Sequence, residues 1–152
     1  MARAWRDAGR FYVDVSPDDF QEPDEDGLVD WLECGIEAME SDRDLALLVA
    51  EEDDEVVGWV SARLVTPASD AQWQLQREYG TTRLILDAVA VAEEHRGAGA
   101  GLELVDAAEE WGRERGATIA VADGNCASGV VPRFYEARLG YRRRSVSLRK
   151  RL

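Results

Sequence analysis

The chain has 152 residues, of which 45% are hydrophobic and 32% are charged, and its formal net charge at pH 7 is −13. These values are typical of a globular protein, and the length suits one domain, residues 1–152, around a single core. The acidic balance argues against nucleic acid as a partner, because binding to phosphates depends on Lys and Arg. No apolar run approaches the roughly 20 residues of a membrane span, and the charged N-terminus is unlike a signal peptide. We therefore expect a cytoplasmic protein with no membrane partner.

The two cysteines, Cys34 and Cys126, lie far apart and have no second Cys or His at ligand spacing. This pattern predicts reduced, structural cysteines rather than a disulfide framework or a metal site.

The N-terminal third begins with RFYVDV, residues 10–15, whose aromatic and β-branched residues predict a strand. An acidic stretch, residues 18–27, separates it from LVDWLECGIEAME. There the apolar residues recur every three or four positions, which predicts an amphipathic helix with one buried stripe. The stripe contains Leu28, Leu32, Ile36 and Met39.

Two apolar runs, residues 44–52 and 55–65, flank Asp53-Asp54 and predict a β-hairpin. The next segment, residues 66–82, lacks a complete helical stripe. It is either a long functional loop or a short surface helix.

The second half predicts alternating strands and helices. RLILDAVAV, residues 83–91, is almost wholly apolar and predicts a central strand. A helix starting at Leu102 stops at Gly116, a strand occupies residues 117–124, and Pro132 and Gly140 bound a short helix. Residues 141–152 predict a last strand, so the fold class is α/β (α+β), a mixed sheet with helices on both faces.

Residues 95–101 read HRGAGAG, between the apolar strand and the predicted helix. Glycines there allow close backbone approach and tight turns, and the N–H groups at a helix N-terminus favour an anion such as phosphate. A P-loop is excluded because Leu102 follows Gly101 where Lys-Ser or Lys-Thr is required. A dinucleotide fingerprint fails because Leu102 also replaces its third glycine. The pattern R-x-x-G-x-G fits Arg96, Gly99 and Gly101.

With this loop, the region from Leu86 to Tyr141 resembles the GNAT superfamily of acetyl-CoA-dependent N-acetyltransferases. The resemblance covers LDAVAV, RGAGAG with its helix, ATIAVAD, Asn125 and the ending RFYEARLGY. It implies a GNAT-like mixed, mostly antiparallel central sheet of about six to seven strands. It also implies transfer of an acetyl group from acetyl-CoA to a primary amine of a small molecule or protein.

The resemblance further implies which residues hold the cosubstrate. The backbone of Val89 and Val91 would align the pantetheine arm, and Asn125 would contact the cofactor. The loop would bind the pyrophosphate through its N–H groups and the Arg96 side chain. Its residues are Arg96, Gly97, Ala98, Gly99, Ala100 and Gly101.

For catalysis, Asp87 matches an acidic residue found in several GNAT enzymes and is a candidate base; a water chain, or a structural role for Asp87, is the alternative. A backbone N–H near Ala88 or Val89 would meet the oxyanion. Tyr135 matches the tyrosine beside the thioester sulfur and would protonate the leaving thiolate; a core aromatic is the alternative.

The acceptor is not specified by any motif. Trp73, Tyr79 and the acids of residues 18–26 either line a pocket for a cationic amine or are ordinary surface, and His95 is either a turn residue or catalytic. The basic segment from Arg133 is a solvated face, a subunit contact or an aid to anion binding, and its alternation with Val146, Leu148 and Leu152 predicts a homodimer. A non-catalytic acyl-CoA-binding or partner-binding module on the same fold is the alternative function.

Overall fold

The structure is a computed structural model that describes residues 1–125, 127–145, 147 and 149–150. The four α-helices of the described residues are α1 (Ala2–Val15), α2 (Leu28–Glu40), α3 (Ala100–Glu114) and α4 (Val131–Arg133). The four strands within these ranges are β1 (Leu45–Glu52), β2 (Glu55–Val65), β3 (Arg83–Val91) and β4 (Ile119–Ala122). A π-helical turn, Phe134–Arg138, continues α4. No helix in the described ranges is long and apolar enough to cross a membrane.

The strands form one sheet in the order β1-β2-β3-β4. The first two pairings are antiparallel and β3 pairs with β4 in parallel. Asp53 and Asp54 join β1 to β2 with φ angles of 50° and 64°, which is the left-handed backbone that two-residue hairpin turns need. The predicted hairpin and the mixed, mostly antiparallel sheet are confirmed.

Helices cover both faces of the sheet, as predicted. On one face, α3 packs against β2 and β3 in a core formed by Val60, Ala62, Leu84, Leu86, Leu104, Val105 and Ala108. On the other face, α1 and α2 cover a smaller core that contains Ala4, Trp59, Ala90 and Ala92. Because successive strand residues point to opposite faces, Trp59 and Val60 belong to different cores.

The prediction of a strand at residues 10–15 is wrong, because these residues are the end of α1. The helical spacing is visible only when the upstream residues are included. Ala4, Ala8, Phe11 and Val15 recur every three or four positions, and Ala4 and Ala8 pack against the sheet. The six-residue window of aromatic and β-branched residues was too short to show this period.

The expected six to seven strands are not found, since the sheet of the described residues has four. Besides the strand lost to α1, none of the described residues between 141 and 150 is in a strand. Their arginines instead form ion pairs with acids elsewhere, Arg143 with Glu136 and Arg149 with Asp19. Val146, Leu148 and Leu152, on which the predicted homodimer rests, lie outside the described residues, so the homodimer stays a prediction.

Candidate functional site

The glycine loop connects β3 to α3 and has the backbone that only glycine adopts easily. Gly97 and Gly99 have φ angles of 85° and 118°, and α3 begins directly after Gly99. The N–H groups of Leu102 and Glu103 bond to the Gly99 carbonyl. Those of Ala100 and Gly101 have no backbone acceptor within the described chain, so they can bind an anion.

The strand before the loop has a free edge. The pairing of β3 with β4 starts at Arg83 and Ile119 and ends at Leu86 and Ala122, although β3 continues beside β2 to Val91. From Asp87 onward the side of β3 that faces away from β2 therefore has no strand partner among the described residues. This gap leads directly to the glycine loop.

The backbone of Val89 and Val91 faces this gap. The N–H of Ala92 donates to the Val57 carbonyl of the β2 side at 2.8 Å. Since neighbouring strand residues direct their N–H and C=O groups to opposite sides, those of Val89 and Val91 point away from β2. The Val91 carbonyl already accepts a hydrogen bond from Nε of Arg96 at 3.0 Å, which holds the guanidinium at the start of the loop.

The π-helical turn lies against the same region. A Cβ atom placed on Gly101 would be 3.5 Å from the Phe134 ring and 3.6 Å from Val91. The end of β3, the start of α3 and the turn that carries Phe134 and Tyr135 therefore meet. Such π-helical turns occur frequently at functional sites.

Tyr135 is half-buried against the α3-side core. Its ring contacts Phe134 and Tyr141 edge-on, with centroid distances of 5.0 and 5.3 Å. Burial raises the pKa of Tyr135 to about 12, and the nearby Tyr12 of α1 adds a smaller increase. Tyr135 is thus fully protonated at neutral pH, but its pKa lies about three units above that of an ordinary thiol.

Asp87 is the extra residue of a β-bulge, because Ser61 pairs with Ala88 and Ala62 with Leu86. Bulges redirect a side chain and are frequent beside active sites. Both carboxylate oxygens of Asp87 accept hydrogen bonds from Nε of Arg63, at 3.0 and 3.1 Å. An amine at Asp87 would therefore have to share this carboxylate with Arg63.

Asp7 of α1 is a buried carboxylate that fixes the segment before the glycine loop. Its side chain is 2% exposed, and one oxygen accepts the N–H of Glu93 at 2.9 Å. The other accepts a hydrogen bond from Arg10. Burial alone would raise the pKa of Asp7, but these hydrogen bonds and the charges of Arg10 and Arg96 outweigh it and lower the pKa.

Comparison with known proteins identifies the family. Residues 5–141 match the Acetyltransferase (GNAT) family. The chain belongs to this family. Proteins of the GNAT family normally use acetyl-CoA, and membership supports an acyltransferase activity. No curated protein matches the chain significantly.

Solved structures with a similar fold carry several functional names. A transcriptional regulator from Bacillus halodurans C-125 is 26% identical, with 82% of this chain and 76% of that chain covered and a TM-score of 0.66. Glucosamine-6-phosphate N-acetyltransferase from Arabidopsis thaliana is 16% identical, with 78% and 75% covered and a TM-score of 0.61. An aminoglycoside acetyltransferase, HMB0005, from an uncultured soil metagenomic sample is 19% identical, with 78% and 73% covered and a TM-score of 0.61. The last two share the GNAT fold at low identity.

The other positions predicted from the GNAT resemblance lie as follows. The side-chain oxygen of Asn125 accepts the Ala127 N–H at 2.8 Å and so caps its own turn. His95 bonds Glu52 at 2.7 Å on the surface, as a turn residue would. Trp73 is 77% exposed, whereas Tyr79 lies under the Arg83 guanidinium, 4.7 Å from it.

Of the two cysteines, Cys34 is free but exposed, so the expectation of a structural role is wrong for it. Cys126 lies outside the described residues. Among the residues described, no three His, Cys, Asp or Glu side chains are grouped to hold a metal ion.

Sequence reasoning missed Asp7, Arg63 and Phe134. Asp7 interrupts the apolar stripe of α1, so recognition of this helix would have marked it as a buried acid. Arg63 and Asp87 are 24 residues apart and meet only through the register of β2 and β3.

Proposed function

We propose that the chain transfers an acetyl group from acetyl-CoA to a primary amine. The observation that carries this proposal is the free edge of β3 beyond Leu86, which ends at the N–H groups of the glycine loop. Family membership supports the same reaction class.

The groups that these residues present suit those of the cosubstrate. The amides of Ala100 and Gly101 have no acceptor in the part of the chain that the structure describes, Gly97 and Gly99 present no side chain, and Arg96 adds a positive charge. This set suits a pyrophosphate. The outward-facing N–H and C=O groups of Val89 and the N–H of Val91 suit the amides of an extended pantetheine arm, as an added strand would bind. The amide NH₂ of Asn125 is available to the cosubstrate, whereas its oxygen already accepts the Ala127 N–H.

When bound, the cosubstrate supplies an activated acetyl thioester. Tyr135 follows Phe134, which packs near the end of β3, and is the candidate proton donor; its raised pKa keeps its proton in place at neutral pH. The hydroxyl therefore acts first as a hydrogen-bond donor to the leaving sulfur, and complete proton transfer requires the bound state to lower this pKa. Asp87 is the candidate base at the bulge, with a water chain as the alternative.

The acceptor class rests on fold neighbours and on the chemistry of the site. Two neighbours are named for acetylation of amino sugars or aminoglycosides. A regulatory, non-catalytic module is the second candidate, because another neighbour is named a transcriptional regulator. The net charge of −13 argues against direct contact with nucleic acid in that case.

Binding of acetyl-CoA is tested by the melting temperature of matched variants. Saturation at about 100 Kd stabilises a native protein by about 2.7 kcal/mol, which for this length is a rise of roughly 5–10 °C. Ala98→Glu adds a carboxylate to the exposed loop and should abolish the rise. Ala107→Glu adds the same charge to an exposed position of α3 and should keep it. Gly99→Val is a poorer test, because a φ of 118° strains valine before any ligand binds.

Catalysis is tested by release of free thiol from acetyl-CoA with a panel of polyamines, aminoglycosides, amino acids and peptide N-termini. Release that depends on an amine supports the enzyme. If acetyl-CoA raises the melting temperature but none of the amines causes thiol release, the result would favour the non-catalytic module. Equal rises in Ala98→Glu and wild type would exclude the loop as the pyrophosphate site.

A further inference from the structure

Three arginines collect at one end of the sheet, on the face that α1 and α2 cover elsewhere. We define the arginine cluster as Arg63, Arg83 and Arg144 with the carboxylates of Glu78 and Asp87. Leu84 and Leu86 pack towards α3, so Arg83 and Asp87, at alternate positions, lie on the opposite face.

The sheet register places Arg63 beside Arg83. Arg63 pairs with Ile85 and Val65 pairs with Arg83. The two arginines are therefore diagonal neighbours on adjacent strands, with Cα atoms about 7–8 Å apart. Arg63 and Asp87 are 46% and 42% exposed. The core under α1 and α2 involves the other half of the strands, around Trp59 and Ala90, and none of the five cluster residues belongs to it.

The carboxylate of Glu78 is shared by two arginines. One oxygen lies 3.9 Å from Nη1 of Arg83, and the other contacts Nη1 of Arg144. The side chains of Glu78 and Arg83 are only 13% and 14% exposed, and Arg83 stacks on the Tyr79 ring. The cluster is therefore partly desolvated, where a charge interaction is stronger than in bulk water.

Arg83 is incompletely satisfied. Its Nε is buried and donates to no acceptor among the described residues, and a buried donor without a partner carries a desolvation cost. The cluster also has three positive side chains against two carboxylates, which leaves one net positive charge in a chain whose net charge is −13. An added anion would balance this charge, and a shift of the Arg83 side chain that exposes Nε would let the anion accept its hydrogen bond.

The cluster is continuous with the candidate reaction site, because Asp87 belongs to both. A molecule whose amine lies at the β3 bulge would extend towards Arg63 and Arg83 if it follows this face of the sheet away from the helices. We propose that the acceptor is an amine that also carries a carboxylate or phosphate, and that the arginine cluster binds this anionic group. The inference rests on the proposed acetyl transfer and assigns its substrate class.

The activity test compares acceptors in pairs that differ by the anionic group. Glycine with glycinamide tests a carboxylate, and glucosamine 6-phosphate with glucosamine tests a phosphate. In at least one pair, kcat/KM from thiol release should favour the anionic member by about tenfold or more, as expected for a charge-assisted hydrogen bond. The ratio should fall towards one in Arg83→Gln and in Arg63→Gln.

Arg113→Gln is the matched control, because Arg113 is an exposed arginine of α3 in ion pairs with Glu109 and Glu110. It removes the same charge and should keep the wild-type ratio. The Arg63 side chain is more exposed than that of Arg83, so Arg63→Gln still tests the cluster if Arg83→Gln misfolds. Preference for the neutral member in both pairs, or a ratio that the cluster variants leave unchanged, would overturn the inference while acetyl transfer stands. If none of the amines tested causes release of thiol from acetyl-CoA, the proposed function itself is overturned.

A binding measurement separates the cluster from activity. The ¹⁵N–¹H signal of the Arg83 Nε–H, assigned by its loss in Arg83→Gln, should shift saturably when inorganic phosphate is added at constant ionic strength with chloride. The Arg113 signal should not shift in this way. A linear drift of both signals to the same extent would contradict an anion site at Arg83.

Discussion

Asp7→Asn tests whether one buried carboxylate fixes α1 to the segment before the glycine loop. The substitution keeps the side-chain shape and one acceptor oxygen but removes the charge that Arg10 and the Glu93 N–H share. Hydrogen bonds to a charged group contribute about 1.5–3 kcal/mol each, and the variant weakens one and loses most of the other. We expect a loss of about 2–3 kcal/mol, or roughly 4–12 °C in melting temperature at this length.

The pH dependence gives this prediction its sign. The pKa of Asp7 is lowered in the folded protein, so its contribution is complete above the unfolded pKa, near 3.9, and is lost as the pH falls through the folded value. The difference between wild type and Asp7→Asn, measured by thermal or urea unfolding, should therefore be full at pH 7 and shrink in acid.

Asp14→Asn is the control, since Asp14 is an exposed acid on the same helix, and its effect should stay within about 0.5 kcal/mol. The reasoning is refuted if Asp7→Asn melts within about 1 °C of wild type at pH 7, or if the difference does not change with pH.

Three further predictions concern Tyr135 and Cys34. Tyr135→Phe should keep the melting-temperature rise with acetyl-CoA and lower kcat by about 10²–10⁴-fold; an unchanged kcat would mean that water or another residue supplies the hydrogen bond. Because the pKa of Tyr135 is raised from 10.0 to about 12, its stabilising contribution is complete below about pH 10 and is lost as the pH rises towards 12. The unfolding free energy of Tyr135→Phe should decline less over this range, and an equal decline would contradict the shift. Because Cys34 is exposed, the native protein should react with at least one equivalent of a thiol reagent, and Cys34→Ser should react with one equivalent less. A native chain that does not react would contradict this exposure.

Local pattern was sufficient for the parts of the fold with a strong signal of their own. The stripe of α2, the turn at Asp53-Asp54 and the apolar run of β3 each specify an element without help from distant residues, because side-chain period and turn backbone are local properties. The glycine loop was equally readable, because R-x-x-G-x-G between a strand and a helix predicts a tight turn of the backbone and favours an anionic ligand. The same local reasoning failed at RFYVDV, where four residues of high β-propensity are overridden by the helical period of the whole segment.

What the sequence by itself determined is therefore the kind of fold and the glycine loop that precedes α3. The tertiary structure alone decided which distant side chains contact one another before this loop and along β3. Asp7 reaches Glu93 across 86 positions, and Arg63 reaches Asp87 across 24. Neither contact has a local signature, because each depends on how a helix docks on the sheet or on the register between two strands. The same register brings Arg63 and Arg83 together, and burial then leaves the Arg83 Nε without an acceptor.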